Sequence, residues 1–573
     1  MRVAALGFDA AEWSFVEQLV AQGDMPMVGS LIERSRCARI DGAHPRNEYV
    51  WAEFIAGADP GRPHDWDTHQ FDPATYTAFL RHGQPGARFW AGAGNGSGSG
   101  EAGVVTLDVP RATAADDHVA VVGWGSAQVY GPRSSNPAGL LSDIDSRFGP
   151  HPMVRNDQIG WHHGRRIERV AAAMERGARM RAPVSRYLLD RFPDWQLFMT
   201  VWSEIHPAAE FLWHGIDPGH LLSGHPSAPL AGAALRRIFR AVDDGVRDLV
   251  ESLPPDTAVV LFSLNGVQTG PGDTASGVLL PEFLARWYNG RSLIAADDVA
   301  GWRRAGCPPV APGPCQRNGY FSARRVDGGD ARRREERALE AMPEFVWPVQ
   351  DGLRRIAARV AGRELGPLGM TIPPETSVTE ASLDEARVPF SQVAEWYQPM
   401  WSSMPAFALP SFAHGYVRLN VVGREADGLV PVADYDAHCR AIEHELMKLT
   451  SPRDGSAVVR EVVRTRGTTP REILDPEGPY EDLNVVWNPC VDAIEHPLIG
   501  VIGPFPLQRV AGHTQNGFAL VSAPGVAAGD AGHRSALELP ATILALLGAQ
   551  PHGKTLLDAN ADAPAEPTVA ADR

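Results

Sequence analysis

Four short segments carry side chains that together could bind a metal ion. Asp9 ends the segment ALGFD, Asn47 precedes EYVWAEF, His206 and Glu210 lie four residues apart in HPAAE, and His513 lies in AGHTQNG. A spacing of four brings two side chains to one face of a helix. Histidine and carboxylate are common ligands of zinc and similar divalent ions. The segments therefore indicate metal-assisted chemistry, provided that the fold brings them together.

Each segment also has an ordinary structural explanation. An aspartate that follows a strand is more often a helix cap or a turn residue. A histidine and a glutamate four residues apart are more often a surface pair, as His206 and Glu210 could be. Asn47 alone would be a turn or cap residue, and Gly512-His513 alone would be a loop. The prediction of a site therefore depends on the four segments acting together.

The elements that must position these residues are predicted to form an α/β sheet. Asp9, His206 and Asn265 each follow an apolar run with the length and composition of a buried parallel strand. The runs are residues 2–8, 196–202 and 258–263. Helical segments alternate with them, which predicts a mostly parallel central sheet with helices on both faces. Functional residues of such sheets lie at the carboxyl ends of the strands.

The chain changes character after about residue 290, where proline-rich turns and an arginine-rich helix replace the strand pattern. We predict a core formed by residues 1–290 and 451–558, with residues 291–450 inserted as a helical and α+β cap. The second part of the core is expected to contain strands at residues 483–487 and 518–522. Residues 559–573 are polar and rich in alanine and proline, which predicts a disordered tail.

Composition limits the classes of partner. The chain has 573 residues, of which 44% are hydrophobic and 21% charged, and its formal net charge is -16. An acidic surface disfavours nonspecific binding to nucleic acid or to an anionic membrane, so we expect a small-molecule substrate. Five cysteines without a CxxC pair and no apolar run of about 20 residues predict a soluble, cytoplasmic protein. A pair of Cys307 with Cys315 stays open but is disfavoured in that compartment.

The ordered set of segments resembles the alkaline phosphatase superfamily, in its type I phosphodiesterase/nucleotide pyrophosphatase branch. ALGFDAAEW is similar to the opening strand with the first metal aspartate, and WAEFIAGADPGRPHDW to the helix behind the nucleophile. SEIHPAAEFLWHGIDPGH is similar to the second metal motif, AVVLFSLNGV to the strand with an Asp-His metal pair, and AGHTQNG to the last metal histidine. The resemblance covers roughly residues 1–90, 195–290 and 410–558. It implies a three-layer α/β fold and hydrolysis of phosphoric esters.

The chain departs from the family pattern at the positions that hold the second metal. Asn47 stands where the family has a threonine or serine nucleophile, and an amide is not a competent nucleophile. Leu264 and Asn265 stand in place of the Asp-His pair. The second metal of the family is bound by the first aspartate, the nucleophile and the Asp-His pair. Among the corresponding residues here only Asp9 is charged, so the resemblance implies one metal or none.

The remaining metal position has a complete set of ligands by resemblance, namely His206, Glu210 and His513. Three ligands with an open fourth position are typical of catalytic zinc. We therefore predict one divalent ion, with zinc the best match, and Asp9 and Asn47 as catalytic positions. Substrate-binding candidates are Asn265, Glu48 and His214, with Trp51, His64, Trp66 and Asp217 as further candidates for the pocket wall.

Three functions remain open at this point. The first is a metal-dependent hydrolase or transferase of phosphoric or related esters, in which water replaces the missing nucleophile. The second is a diverged enzyme of secondary metabolism that uses the same pocket for different chemistry. The third is a metal-free pseudoenzyme or binding protein. Fold alone does not decide among them, and the sequence leaves the substrate and the oligomeric state open.

Overall fold

The computed structural model of the chain describes most of its residues. These are residues 1–42, 50–58, 69–81, 88–91, 103–114, 118–125, 132–154, 164–270, 272–295, 298–310, 323, 325–326, 356, 358, 360, 365, 372–376, 387–389, 392–507, 509–551 and 553–558. The predicted tail and the predicted arginine-rich helix, around residues 332–337, lie outside these ranges.

The strands of the described residues are short and distributed along the whole chain. They are β1 (Val3–Phe8), β2 (Arg36–Asp41), β3 (His69–Asp72), β4 (Thr77–Arg81), β5 (Val104–Leu107), β6 (Val119–Val122), β7 (Ser134–Asn136), β8 (Leu197–Trp202), β9 (Ala258–Ser263), β10 (Gly266–Gln268), β11 (Arg387–Pro389), β12 (Ala406–Leu409), β13 (Gly415–Leu419), β14 (Val459–Arg464), β15 (Leu483–Trp487), β16 (Ile494–His496), β17 (Gly500–Ile502), β18 (Gly512–Thr514), β19 (Asn516–Ser522) and β20 (Gly529–Ser535).

The helices alternate with these strands in the first half of the chain. They are α1 (Trp13–Ala21), α2 (Pro26–Arg34), α3 (Val50–Ala56), α4 (Leu140–Phe148), α5 (Gly164–Arg191), α6 (Ile205–Leu212), α7 (Ala228–Val250), α8 (Leu280–Asn289), α9 (Val299–Arg304), α10 (Gln398–Trp401), α11 (Tyr435–Leu446), α12 (Pro470–Ile473) and α13 (Glu538–Leu547). None of the described helices is both long and apolar enough to cross a membrane.

A nine-stranded sheet organises the molecule, in the order β20-β2-β19-β9-β1-β8-β5-β6-β7. Strand β1 lies at its centre and pairs in parallel with β8 and β9. The pairs β5–β8, β5–β6 and β2–β20 are also parallel, whereas β19 and the edge strand β7 run antiparallel to their neighbours. The prediction of a mostly parallel central sheet is therefore confirmed.

Helices cover both faces of this sheet and make three layers. Alternate residues of β1 point to opposite faces, because side chains of a strand alternate in direction. Ala4, Leu6 and Phe8 pack into one apolar core with residues of α1, α2, α5, α6 and α7, whereas Val3 and Ala5 pack into a second core with α3 and α13. Burial on both faces explains why β1, β8 and β9 are continuous apolar runs.

A four-stranded sheet in the order β12-β13-β15-β14 forms a separate layer with its own apolar core. All its pairings are antiparallel. Residues 483–487 form the predicted strand, β15, which pairs with β13 and β14. Residues 518–522 form part of β19 in the central sheet. The division of the chain into a core and an inserted cap stays a prediction.

Candidate functional site

Asp9 lies directly after the central strand β1 and is almost fully buried. Its Oδ1 accepts a hydrogen bond from Trp51 Nε1 at 2.9 Å, and its Oδ2 lies 3.5 Å from His206 Nδ1. Ala10, the next residue, has a φ of 59°, which is unusual for a residue other than glycine. The chain therefore turns sharply after β1, with the Asp9 carboxylate between an indole and an imidazole.

His206 and Glu210 lie on α6, which begins three residues after β8 ends. Pro207 occupies the first turn of this helix, where the missing backbone N–H has no intrahelical acceptor to lose. His206 Nε2 lies 3.1 Å from Glu210 Oε1, which is the contact expected for a spacing of four on a helix. The helix thus presents both side chains at the carboxyl end of the sheet.

His513 reaches the same place from the two-stranded ribbon β10–β18. Its Nε2 lies 3.6 Å from Glu210 Oε1, and its ring centroid lies 4.7 Å from that of His206. One donor atom from each of His206, Glu210 and His513 falls within 4.8 Å of the others. These residues, called the triad below, fit a divalent ion in their donor chemistry and their proximity. Glu210 Oε2 supports this fit, because it is buried without a hydrogen-bond partner among the described residues.

Arg509 also contacts the triad. One of its terminal nitrogens binds Glu210 Oε1, and its Nε lies 2.9 Å from Asp273 Oδ2. Both carboxylates are buried. Arg509 therefore neutralises part of the negative charge of Glu210. A bound metal ion would share Glu210 Oε1 with Arg509.

The charges around the triad determine its protonation. Burial alone would raise the pKa of Glu210, but Arg509 and then His206 outweigh burial and hold it far below its ordinary value. Burial would lower the pKa of His206, yet Glu210 and Asp9 raise it well above its ordinary value. Burial and the nearby His206 lower the pKa of His513 to about 4. Without a metal, His206 carries a proton and His513 is neutral at pH 7.

The structure brings some of the predicted site residues together. Asn265 Nδ2 lies 3.2 Å from His513 Nδ1, so this predicted substrate-binding residue contacts the triad. His214 lies instead against Ser227, with 3.0 Å between Nε2 and Oγ, and is buried. Its role in binding substrate stays a prediction. Asn47, Glu48, His64 and Trp66 fall outside the described residues.

The residues that the resemblance assigns to a second metal offer few free donor atoms among the described residues. Leu264 is fully buried in the apolar core shared with α3 and α13, and it offers no donor atom. Asp9 is held by Trp51 and His206. This arrangement supports the prediction of no more than one metal ion, which itself stays untested.

Two contact residues were not singled out from the sequence. Arg509 precedes His513 by four residues, and Asp273 follows the strand β10 by five. Both lie in glycine- and proline-rich segments that resemble ordinary loops. The only sequence feature that could have pointed to Arg509 is its closeness to His513. That feature does not distinguish it from an arginine on the protein surface.

Comparisons with known proteins find similarity in structure only. No family model matches the sequence, and no curated protein matches it significantly. The chain is similar to phosphonoacetate hydrolase from Sinorhizobium meliloti 1021 in complex with phosphonoformate, with 12% identity over 96% of each chain and a TM-score of 0.40. It is also similar to human ectonucleotide pyrophosphatase/phosphodiesterase 5, with 9% identity over 97% of each chain and a TM-score of 0.43.

The murine ectonucleotide pyrophosphatase/phosphodiesterase 5 is similar at 8% identity over 97% of each chain, with a TM-score of 0.41.

Proposed function

We propose that the chain is a metal-dependent hydrolase or transferase of phosphoric or related esters that uses one divalent ion and no side-chain nucleophile. The proposal rests on one observation, the convergence of His206, Glu210 and His513 donor atoms within 4.8 Å. The convergence lies at the carboxyl end of a mostly parallel sheet, where α/β enzymes hold their ligands. Zinc is the proposed ion, because two imidazoles and one carboxylate suit it better than magnesium.

The neighbours of the triad support this assignment. Metal-binding histidines usually donate their second ring N–H to an oxygen. His206 would bind through Nε2 and donate from Nδ1 to Asp9. A half-turn of the Asn265 amide would bring its Oδ1 toward His513 Nδ1, which leaves Nε2 of His513 for the ion. Asp9 and Asn265 are thus proposed to orient the two ligands.

A bound ion would polarise an ester oxygen and favour attack by water. The remaining work belongs to the residues of the chain. Arg509 is positioned to attract the negative charge of a phosphoric ester, since its guanidinium lies at the triad. Asn47 is proposed to orient ester oxygens through its amide.

A cytoplasmic location is also proposed. The described cysteines are free thiols, as is usual in that compartment; they are Cys37, Cys307, Cys439 and Cys490.

Elemental analysis of protein purified without chelator tests the proposal, together with a panel of phosphoric monoesters and diesters. We expect about one equivalent of metal and turnover of at least one ester class that chelator abolishes. His513→Ala should lose both. His533→Ala is the matched control, because that histidine is 62% exposed on the edge strand β20 and pairs with Asp41, which is no member of the triad. Metal well below one equivalent that is unchanged in His513→Ala would contradict the proposal.

A metal-free binding site is the second candidate, and the Arg509–Glu210 ion pair favours it. Arg509 and protonated His206 together offset much of the negative charge of Asp9, Glu210 and Asp273. Two positive charges against three negative ones leave a net charge of about -1, so such a site would bind a neutral or cationic group without catalysis. The same elemental analysis separates the two candidates, since a metal-free site would hold no equivalent of metal and His513→Ala would not change the metal content.

A further inference from the structure

A cavity of about 580 Å³ is lined by residues of the ribbon β10–β18 and of the four-stranded sheet. His513 belongs to this lining and to the triad, so the cavity lies next to the proposed metal ligands. Its volume is typical of sites for small molecules, and a single phosphoryl group would occupy only a small part of it. An ester bound at the triad therefore has room for a bulky second part on this side.

Strand β14 forms one wall of the cavity. Val462 packs against the core of the four-stranded sheet. Its neighbours Glu461 and Val463 therefore point to the opposite face, where both line the cavity. The wall thus presents a carboxylate and an aliphatic group side by side on one strand.

A shift in the register of β14 adds an arginine to this wall. Val459 pairs with Trp487, and Glu461 pairs with the preceding residue of β15, Val486, so Arg460 is an extra residue in β14. An extra residue of this kind changes the direction of its side chain. Arg460 lines the cavity together with Glu461. The irregularity therefore brings a positive and a negative side chain to the same wall.

The charges of the described lining residues sum to about zero. Arg460 and Glu461 have opposite signs. Arg464 also lines the cavity, but its Nε lies 2.6 Å from Glu443 Oε1, and its guanidinium also pairs with Asp436. The positive charge of Arg464 is thus offset within the protein, and the wall offers no net positive charge to a ligand.

The two histidines of the described lining do not change this balance at pH 7. Burial and the nearby His206 lower the pKa of His513 to about 4. Nδ1 of His414 lies 3.2 Å from the amide donor Nδ2 of Asn484, so this nitrogen carries no proton and the ring is neutral.

A second anionic group on the substrate would lack a counter-charge in this cavity. A charged group that leaves water loses free energy unless an opposite charge compensates. Arg509 lies at the triad, where it contacts Glu210 and is proposed to attract the reacting group. The carboxylate of Glu461 would repel a second phosphate beyond that point. An uncharged group meets no such penalty.

We infer that the cavity binds a bulky, uncharged organic group of the ester, and that Glu461 disfavours substrates with a second anionic group, such as pyrophosphates. Val463, which is 42% exposed, and the exposed Pro489 give the organic group an apolar surface. The inference rests on the proposed function, because the reacting group of the ester has to lie at the triad.

Calorimetric titration with three phosphinates tests the inference without turnover, because their P–C bonds are not ester bonds. Dimethylphosphinate carries two small groups, and diphenylphosphinate carries two bulky uncharged groups. Phenyl(phosphonomethyl)phosphinate carries one phenyl group and a second anionic centre. We expect diphenylphosphinate to bind at least about tenfold more tightly than each of the others, because it alone buries a second apolar ring. Equal or tighter binding of either of the other two, or no binding of diphenylphosphinate, would overturn the inference.

A variant of Glu461 tests its role in selecting the charge of the ligand. Glu461→Gln should raise the affinity for the phosphonomethyl compound, relative to that for diphenylphosphinate, by about threefold or more, because it removes the repelling carboxylate. Glu33→Gln is the matched control, since it removes an exposed carboxylate of α2 outside the cavity wall, and it should leave the ratio unchanged. An unchanged ratio in Glu461→Gln would overturn the role of Glu461.

NMR of valine methyl groups locates the phenyl rings. Diphenylphosphinate should shift the methyl signals of Val463 and Val486 through ring currents, whereas dimethylphosphinate should not. Val422, which is 48% exposed and lies outside the cavity wall, is the control. Binding of diphenylphosphinate without shifts at the two valines of the wall would overturn the assignment to this cavity.

The outcomes also separate this inference from the proposed function. Tight binding of diphenylphosphinate with shifts at Val463, in a protein without metal or esterase activity, would support the cavity assignment and reject the metal-dependent hydrolase. Metal-dependent turnover of esters without any preference for diphenylphosphinate would keep the hydrolase and reject the site for a bulky uncharged group.

Discussion

Arg509 is the residue whose role at the triad is most open to test. Its guanidinium binds Glu210 Oε1, an oxygen that a metal ion would also need, and it contacts Asp273. A positive charge at this position repels a divalent cation but attracts an anionic ester. The same residue therefore lowers metal affinity and favours substrate, and removing it should separate the two effects.

Arg509→Met should raise the affinity for zinc by about tenfold, because it removes the cation that competes for Glu210. This gain corresponds to about 1.4 kcal/mol of binding free energy. The substitution should raise KM for anionic esters at the same time. Zinc titration calorimetry and steady-state kinetics measure the two effects. Arg303→Met is the control, since that arginine is 45% exposed and pairs only with Glu495 at 2.6 Å among the described residues. Weaker zinc binding in Arg509→Met would contradict the argument.

The nucleophile position gives a second test at the residue scale. Asn47→Thr alone should not produce two-metal phosphatase activity, because buried Leu264 still supplies no carboxylate for a second ion. Turnover of a generic aryl phosphate should stay within about twofold of the unmodified protein, within the spread expected when no transition-state interaction is added. Strong turnover by this single variant would show that the positions are wrongly assigned.

At the scale of elements, the turn between β8 and α6 is held by a fully buried ionic network. Glu204 contacts His151 Nε2 at 2.8 Å and Arg181 at 3.1 Å, and Arg181 also contacts Asp108 at 3.2 Å. Burial would raise the pKa of Glu204, but Arg181 and His151 outweigh it and lower the value to about 2. Asp108 directly follows β5, and Glu204 follows β8. Arg181 of α5 contacts both carboxylates and so connects the ends of β5 and β8 next to α6.

Arg181→Met should destabilise the protein by about 3–5 kcal/mol, because it leaves Asp108 and Glu204 as buried carboxylates without their arginine. Calorimetry of thermal unfolding measures the loss of stability. The metal content should also fall, because α6 is displaced. Arg191→Met removes an arginine of the same helix that is 45% exposed and pairs with Asp143. That control should change stability by less than about 1 kcal/mol. Equal effects of the two substitutions would show that the network does not hold the turn.

At the scale of the whole molecule, buried histidines link the stability of the fold to pH. Burial, then His220 and His225, lower the pKa of His214 to about 3, and burial lowers that of His220 to about 4 although Asp217 opposes it. Both are therefore neutral in the folded protein. The unfolded chain takes up these protons near pH 6.5, so stability is fully present above that pH and is lost as pH falls toward 4.

The unfolding temperature should therefore fall between pH 7 and pH 5, by up to about 2–4 °C for each kcal/mol lost. His214→Gln should reduce this slope, because glutamine takes up no proton in the unfolded chain. Differential scanning fluorimetry at pH 5, 6 and 7 measures it. His533→Gln replaces an exposed histidine and should leave the slope unchanged. A slope in His214→Gln as steep as in the unmodified protein would contradict the argument.

Local apolar pattern predicted three central strands, which are followed by Asp9, by the helix of His206 and Glu210, and by Asn265. The runs that become β1, β8 and β9 are buried on both faces, so they are apolar at every position and recognisable without their neighbours. The spacing of His206 and Glu210 likewise predicts a shared helical face. The strand at residues 483–487 was recognisable in the same way, but an apolar run does not reveal which sheet its partners belong to, and β15 pairs with β13 and β14.

The sequence by itself determined that this protein has a mostly parallel α/β sheet and that Asp9, His206 and Glu210 follow its strands, because strand burial and helical spacing are local properties. Only the tertiary structure decided which charges meet. Arg509 binds Glu210 from 299 residues away, and β15 pairs with β13 and β14 rather than with the central sheet. Such contacts depend on packing between distant elements, and no local period of the chain records them.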